Sequence, residues 1–251
     1  MRRPMLCALV FAFALGFVPR VLGQGDVKAI LEKAVRAHGG ADKINRGKGV
    51  LTRAKGKIEV PGIGATEFTQ EITVAYTGKF KEAMHVEVNG QKINVVTVFD
   101  GQNGWVSANG KTKDASGDIL ESLKEGAYAM KIARLTDLIP DTSIQLSALG
   151  ESKVEDRPAL GVKLAGKGHK DIELYFDKDS GLLVKVHTRK KNPTTGQEVD
   201  EERIIKAYQE IDGQKTAKSI LVKHDGKTFL EAEVTAVKYP DDIDDSEFEK
   251  P

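Results

Sequence analysis

The residues best able to do chemistry are five histidines, and their spacing does not form a metal site. They are His38, His85, His169, His187 and His224. No two of them have the His-Glu-x-x-His spacing that places two imidazoles on one face of a helix. The Gly-x-Ser-x-Gly and Ser-x-x-Lys patterns that present a nucleophilic serine are also missing. We therefore predict no catalytic residue, no metal ligand and no cofactor, and we interpret the histidines as surface or structural residues.

Two acidic segments could attract cations. The segment DKDSG, residues 177–181, is similar to a calcium-binding loop, but its glycine comes one position early. Thr188 stands at the twelfth position, where a calcium loop requires a bidentate glutamate, so the segment favours a hairpin turn. The segment DDIDDSEFE, residues 241–249, concentrates carboxylates near the end of the chain. We interpret it as a solvated acidic tail rather than a cation site.

The first 23 residues have the pattern of a cleaved secretory signal peptide. Arg2 and Arg3 precede an apolar run from Met5 to Val18, and small Gly23 marks the cleavage point. The run is too short for an ordinary membrane-spanning helix, although a retained anchor is the alternative. Cys7 is the only cysteine, so residues 24–251 contain none and form no disulfide. We expect an exported, periplasmic protein without a transmembrane span.

Charge excludes one class of partner. The whole chain has 38 basic and 37 acidic residues, and loss of Arg2, Arg3 and Arg20 with the signal peptide leaves 35 against 37, a net charge of −2. Charges of both signs are interleaved, without the basic stripe that nucleic-acid backbones select. We therefore expect no nucleic-acid partner.

Apolar periodicity predicts one amphipathic helix followed by consecutive antiparallel strands. Residues 26–38 place their apolar residues on one helical stripe. From residue 49 the period changes to two, and one side of each strand is polar. The segment INVVTVF, residues 93–99, is apolar on both sides, so something must cover both of its faces.

A second helical region is predicted over residues 118–139. Its apolar surface is broad, which indicates a buried or covering helix, or two short helices broken near Gly126. Residues 143–239 read as strands again, and no repeat or linker divides the chain. The expected fold is mainly β (α+β). It is a strongly curved antiparallel sheet of about eleven strands, forming an incomplete β-barrel covered by the N-terminal helix and the central helical insertion. Residues 24–251 make one domain.

A curved sheet with an apolar face must fill its hollow or leave room for an apolar ligand. Taken singly, Phe99, Trp105 and Met130 are explained by core packing, but their convergence would line a cavity. The candidate residues of a lipid cavity are Phe68, Ile72, Val74, Met84, Val86, Ile93, Val95, Phe99, Trp105, Leu123, Met130, Leu174, Phe176 and Val184.

Several short segments resemble the periplasmic lipoprotein-carrier superfamily (LolA/LolB-like, outer-membrane lipoprotein-sorting proteins). They are AHGGADKI (37–44), VFDGQNGW (98–105), YFDKDSGLLVKV (175–186), YQEIDGQKTAKSI (208–220) and DDSEFEKP (244–251). The resemblance implies an incomplete barrel whose helices form a lid over an apolar cavity for acyl chains. It also implies that Trp105 lies at the rim or wall of that cavity.

The chain departs from this family at one informative position. Family carriers have an Arg-Pro pair in the strand before the Asp-Gly turn, and that arginine controls opening and release. The corresponding segment here, residues 75–84, has Thr77-Gly78 instead. Without that arginine, energy-coupled transfer of lipoproteins to a receptor is in doubt. The sequence favours a more generic binder of lipids or lipoproteins.

These observations favour an exported, periplasmic carrier or binder of lipids or acylated lipoproteins that performs no covalent catalysis. Its expected partners are acyl chains or acylated lipoproteins, with envelope proteins as further candidates, and the expected state is a monomer. The alternative is a non-enzymatic structural or protein-interaction module of the cell envelope with a filled core.

Overall fold

A computed structural model describes residues 24–88, 90–191 and 197–251. The predicted signal peptide, residues 1–23, lies outside the described residues. Three α-helices occur within them: α1 (Gln24–Ala37), α2 (Ala41–Ile44) and α3 (Gly117–Ala133). A short 3-10 helix (Asp245–Phe248) follows near the C-terminus. The helix predicted over residues 26–38 is confirmed by α1.

The strands follow the alternating apolar pattern of the sequence. They are β1 (Gly49–Val60), β2 (Gly64–Ala75), β3 (Lys79–Val88), β4 (Gln91–Phe99), β5 (Gly104–Ala108), β6 (Lys111–Asp114), β7 (Ile144–Val154), β8 (Arg157–Gly166), β9 (Ile172–Asp177), β10 (Leu183–Lys191), β11 (Glu198–Ile211), β12 (Gln214–His224) and β13 (Lys227–Lys238).

All thirteen strands of the described residues form one antiparallel sheet that does not close into a barrel. The order is β6-β5-β4-β3-β2-β1-β13-β12-β11-β10-β9-β8-β7, so β6 and β7 are the two ends and do not pair. Helix α3 is the chain segment that connects these two ends. The mainly β, incomplete-barrel architecture is confirmed. The expected count of about eleven strands is too low, because β5 and β6 have only five and four residues, too few for alternation to be recognised.

Strand register defines two faces of the sheet. Directly paired residues of antiparallel strands point to the same face. Phe80 pairs with Phe99, and Val74 pairs with Phe80. Because Val74 and Phe80 lie against α3, we call their face the helix-side face. We call the opposite one, which carries Val98 and Trp105, the outer face.

Helix α1 fills one half of the helix-side face. Its apolar stripe packs on β7 to β11. Ile132 in the last turn of α3, and Leu135 and Leu138 just after that helix, belong to the same cluster. The stripe residues are Val27, Ile30, Leu31 and Ala34, all buried as the helical period predicts. This half of the molecule is a conventional packed core.

Helix α3 is continuous through Gly126, so the alternative of two short helices is wrong. It ends after Ala133, and Leu135 then adopts a left-handed conformation with φ +68°. A single glycine costs a helix about 1 kcal/mol relative to alanine, which packing of the remaining turns can offset.

The acidic C-terminal segment is not a solvated tail. Phe248 is only 2% exposed and packs on the outer face. Lys79 pairs with Asp245 at 2.7 Å, and Lys81 pairs with Glu247 at 2.8 Å. The carboxylates thus attach the segment to lysines of β3, because its aromatic residue has an apolar patch to bury.

Candidate functional site

Ten of the fourteen residues predicted to line a lipid cavity come together in the structure. Eight lie on the helix-side face of β2, β3 and β4, and two lie on α3. The ten are Phe68, Ile72, Val74, Met84, Val86, Ile93, Val95, Phe99, Leu123 and Met130. Phe68 and Phe99 are buried, and the other eight are half-buried. We call the strand residues of this set the apolar strand surface.

The structure does not bring the other four residues to this surface. Leu174 and Phe176 are 0% and 1% exposed in the core beneath α1. Val184 packs with Val154 and Ala159 in a separate cluster. Local alternation cannot distinguish these positions from a ligand wall, since a strand covered by a helix and one covered by a ligand have the same apolar pattern.

Trp105 also lies away from the apolar strand surface. It pairs in register with Val98 on the outer face and packs against the cluster formed by Ala75, Val98 and Phe248. The rim or wall position implied by family resemblance therefore does not match its place in this fold.

Only the last residues of strand β4 are buried on both faces. On the helix side, Phe99 is 3% exposed, while Ile93 and Val95 further back on the same face are half-buried. On the outer side, Val98 is 0% exposed beneath the C-terminal segment. The second cover comes from residues far along the chain.

Helix α3 lies close to one end of the apolar strand surface. The space between it and strands β2 and β3 has a volume of about 20 Å³ and is bounded by Val74, Phe80, Ala127 and Met130, among others. That volume holds about one water molecule. A Cβ atom on Gly104 would overlap Leu123 Cδ1, so the helix also touches β5.

The polar attachments of α3 lie on the opposite side, at β8 to β10. Lys191 pairs with Asp118 at 2.7 Å and its carbonyl accepts from Ser122 at 3.3 Å. Glu125 Oε1 lies 2.9 Å from His169 Nδ1, and the ring of Tyr128 stacks on the same histidine at 3.8 Å. The helix is thus held by an ion pair at β10, by hydrogen bonds and ring stacking at the β8–β9 turn, and by apolar contacts at β2, β3 and β5.

An arginine fixes the chain just after α3. The Arg134 guanidinium lies 3.7 Å from the centre of the Tyr76 ring and donates to Asn45 Oδ1 at 2.7 Å. Burial raises the pKa of Tyr76, and the positive charge of Arg134 opposes that rise. The end of α3 is therefore tied to both β2 and α2.

One polar pair interrupts the apolar strand surface. Gln70 Nε2 donates to Glu82 Oε1 at 2.5 Å, and both residues are half-buried on the helix-side face. Their neighbours in register are Ile72, Met84 and Thr97. Sequence reasoning did not select this pair, although polar residues at apolar positions of an alternating strand were visible.

A larger cavity of about 1050 Å³ lies across β1 to β4 and β11 to β13. Phe68 and Val86 contribute to its lining. Most of the lining residues, however, point by register to the outer face, and many are charged: Lys55, Lys57, Glu67, Glu87, Lys92, Glu231 and Glu233. This cavity is not the purely apolar room that the sequence predicts.

The five histidines have hydrogen-bonding partners within the fold. The pairs are His38 with Tyr208, His85 with Asn94, His169 with Glu125, His187 with Glu173, and His224 with Glu201. No group of three or more histidine, cysteine, aspartate or glutamate residues suited to a metal ion occurs in the described part of the chain.

The pair of His224 and Glu201 belongs to a partly buried cluster of polar and charged side chains. Glu201 is 8% exposed, and its Oε2 lies 2.9 Å from His224 Nε2 and 2.5 Å from Lys190 Nζ. Burial alone would raise the pKa of Glu201. The hydrogen bond with His224 and the charges of Arg203 and Lys190 outweigh burial and hold this pKa well below its usual range. The cluster joins β10, β11 and β12.

The acidic loop of residues 177–181 is a hairpin turn, as predicted. Asp177 Oδ1 accepts from the Ser180 backbone N–H at 2.7 Å, and Gly181 has φ +78°.

Among residues 24–88, 90–191 and 197–251, no helix is long and apolar enough to cross a membrane.

Comparison with known proteins identifies the fold. No family model and no curated protein matches the chain. A LolA superfamily protein from Nitrosomonas europaea superposes with a TM-score of 0.57 at 12% identity, over 89% of this chain and 97% of that one. An outer-membrane lipoprotein-sorting domain from Vibrio parahaemolyticus gives 0.52 at 10% identity, over 88% and 97%. A DUF1329 family protein from Desulfovibrio piger gives 0.51 at 19% identity, over 89% and 97%. The chain therefore has the fold of LolA superfamily and lipoprotein-sorting proteins.

Proposed function

We propose that this protein is an exported, periplasmic carrier or binder of lipids or acylated lipoproteins, without covalent catalysis. In this proposal the ligand's acyl chain lies on the apolar strand surface, next to α3. The observation that carries the proposal is the half-buried state of eight apolar residues grouped on β2 to β4 and α3. The similarity of fold to a lipoprotein-sorting domain supports it.

Acyl burial can supply the required affinity without charged contacts. Each methylene removed from water contributes about 0.8 kcal/mol. Ten methylenes would thus contribute roughly 8 kcal/mol, which corresponds to micromolar binding.

The narrow space beneath α3 limits how the ligand can be held. About 20 Å³ does not accommodate an acyl chain. In the proposal, the chain therefore lies beside α3 or the helix moves away from β2, β3 and β5 to admit it. The same small volume favours a second candidate, a structural or protein-interaction module whose interior stays filled.

Titration with a fluorescent fatty acid, with native mass spectrometry of the purified protein, tests the proposal. Val95→Thr places a hydroxyl on the apolar strand surface without changing side-chain volume, and we expect it to weaken binding about tenfold, since an unpaired polar group costs about 1–3 kcal/mol. Val96→Thr is the matched control, because the adjacent residue is also half-buried but points to the outer face. Absence of saturable binding by the unmodified protein would support the filled module instead.

A further inference from the structure

We infer that the ligand held on the apolar strand surface carries a protonated amine close to its acyl chain, and that Glu82 selects it. This inference rests on the proposed function and adds to it the chemical class of the ligand. It comes from one carboxylate located within an apolar surface.

Register places Glu82 among the candidate ligand contacts. Ile72 of β2 and Thr97 of β4 are its direct partners on the helix-side face. Along β3, Phe80 and Met84 lie two residues away on the same face. A ligand that lies across Ile72 and Met84 must therefore pass over the Glu82 carboxylate.

Among the described residues, no lysine, arginine or histidine forms an ion pair with Glu82. Its one hydrogen-bond partner among the described residues is the neutral amide of Gln70, which donates to Oε1. The cations near the C-terminal end of α3 are paired elsewhere: Lys131 with Asp141 at 3.4 Å and Arg134 with Asp137 at 3.8 Å. An ionised carboxylate accepts up to about four hydrogen bonds, so Oε2 remains open to a donor.

This arrangement discriminates between head groups. Covering the surface with an acyl chain removes water from Glu82, and a half-buried carboxylate without a counter-charge is then destabilised. An ammonium group on the ligand would supply that counter-charge through a charge-assisted hydrogen bond. A carboxylate or phosphate at the same place would be repelled. Gln70 supports this selection because its amide holds Oε1 and thereby orients the side chain.

Three probes of equal chain length test the inference by displacement of a fluorescent acyl reporter: hexadecylamine, hexadecanol and hexadecanoate. We expect the unmodified protein to prefer the amine over the carboxylate by about tenfold, the range of a half-exposed ion pair with a neighbouring hydrogen bond. Glu82→Gln keeps the shape of the side chain and should abolish that preference while hexadecanol binds as before.

Glu87→Gln is the matched control. It removes the same charge from the same strand, but Glu87 points to the outer face and lines the large cavity. Equal affinity of the unmodified protein for amine and carboxylate overturns the inference, as does loss of the preference in Glu87→Gln. If none of the three probes displaces the reporter, the proposed function itself fails. Thermal unfolding checks that both variants remain folded.

A protonated amine can come from an amino lipid or from an acylated protein. Sphingosine, whose amine lies next to its hydrocarbon chain, against N-acetylsphingosine tests the first source. An S-palmitoylated peptide with lysine against the same peptide with acetyl-lysine tests the second. Preference for the amine in either pair supports the inference and identifies the source, and preference in neither overturns it.

Discussion

Trp105 and Phe248 lie in one cluster on the outer face, although nearly the whole second half of the chain separates them. Phe248 is 2% exposed, and Trp105 packs beside it together with Val96 and Ile243. Ion pairs of Asp245 and Glu247 with β3 lie along the same segment. The C-terminal segment is therefore a structural cover for the half of the sheet that lacks α1.

Phe248→Ala should destabilise the protein by about 3–5 kcal/mol, the usual cost of deleting a buried phenylalanine. Urea unfolding followed by Trp105 fluorescence measures both the loss and the exposure of the indole, which should shift the native emission to longer wavelength. Glu249→Ala is the control, because Glu249 is exposed beside the same segment. An unchanged unfolding midpoint would contradict the buried packing of Phe248 on the outer face.

Trp105→Ala should lower stability and leave lipid affinity unchanged, because the ring lies on the face opposite to the apolar strand surface. The expected loss is about 2–4 kcal/mol, slightly below that of a fully buried tryptophan. Unfolding by urea and titration with a fluorescent fatty acid measure the two quantities separately. A large loss of lipid affinity with little loss of stability would show instead that Trp105 contacts the ligand.

Glu201 should make the free energy of unfolding depend on pH. Its pKa in the folded protein lies below the ordinary value of 4.5, so its contribution is complete above that value and is lost as the pH falls below it. Glu201→Gln should cost about 1–3 kcal/mol near pH 7, because the half-buried ammonium of Lys190, 2.5 Å away, loses its counter-charge.

Between neutral pH and pH 3, the free energy of unfolding should fall less in Glu201→Gln than in the unmodified protein. Urea unfolding at a series of pH values gives this slope, and Glu59→Gln, which changes an exposed carboxylate, serves as the reference. Parallel curves for the unmodified protein and Glu201→Gln would refute the assignment.

Locking α3 to β5 should block lipid uptake if the helix must move away from that side. Gly104→Cys with Leu123→Cys places two thiols at the contact between α3 and β5, and residues 24–251 contain no competing cysteine. Oxidation should abolish saturable binding of a fluorescent fatty acid, and a reductant should restore it.

Ser122→Cys with Lys191→Cys is the matched lock on the β10 side, where polar contacts already hold α3. We expect this second disulfide to leave uptake intact. Mass spectrometry under non-reducing conditions verifies that each bond has formed. If lipid uptake survives the disulfide between residues 104 and 123 but fails with the disulfide between residues 122 and 191, then α3 moves away from β10 and not from β5.

Much of the candidate site was predictable because strand alternation is a local property. Within a single strand, alternation puts Met84 and Val86 on one face whatever the rest of the chain does. The register between strands then places Ile72 and Val95 on that same face. Leu174 and Phe176 have the same local pattern, yet α1 covers them. Glu82 was visible as an exception to the alternation, but its meaning depends on which side chains surround it.

By itself, the amino-acid sequence determined the buried stripe of α1, the mainly β architecture and the two-sided cover that β4 requires. Only the tertiary structure decided what provides each cover: α1 over β7 to β11, α3 over one end of β2 to β5, and Phe248 over Trp105. The physical reason is that periodicity reports which side of a strand avoids water. The element that excludes the water is selected by packing between residues far apart in the chain.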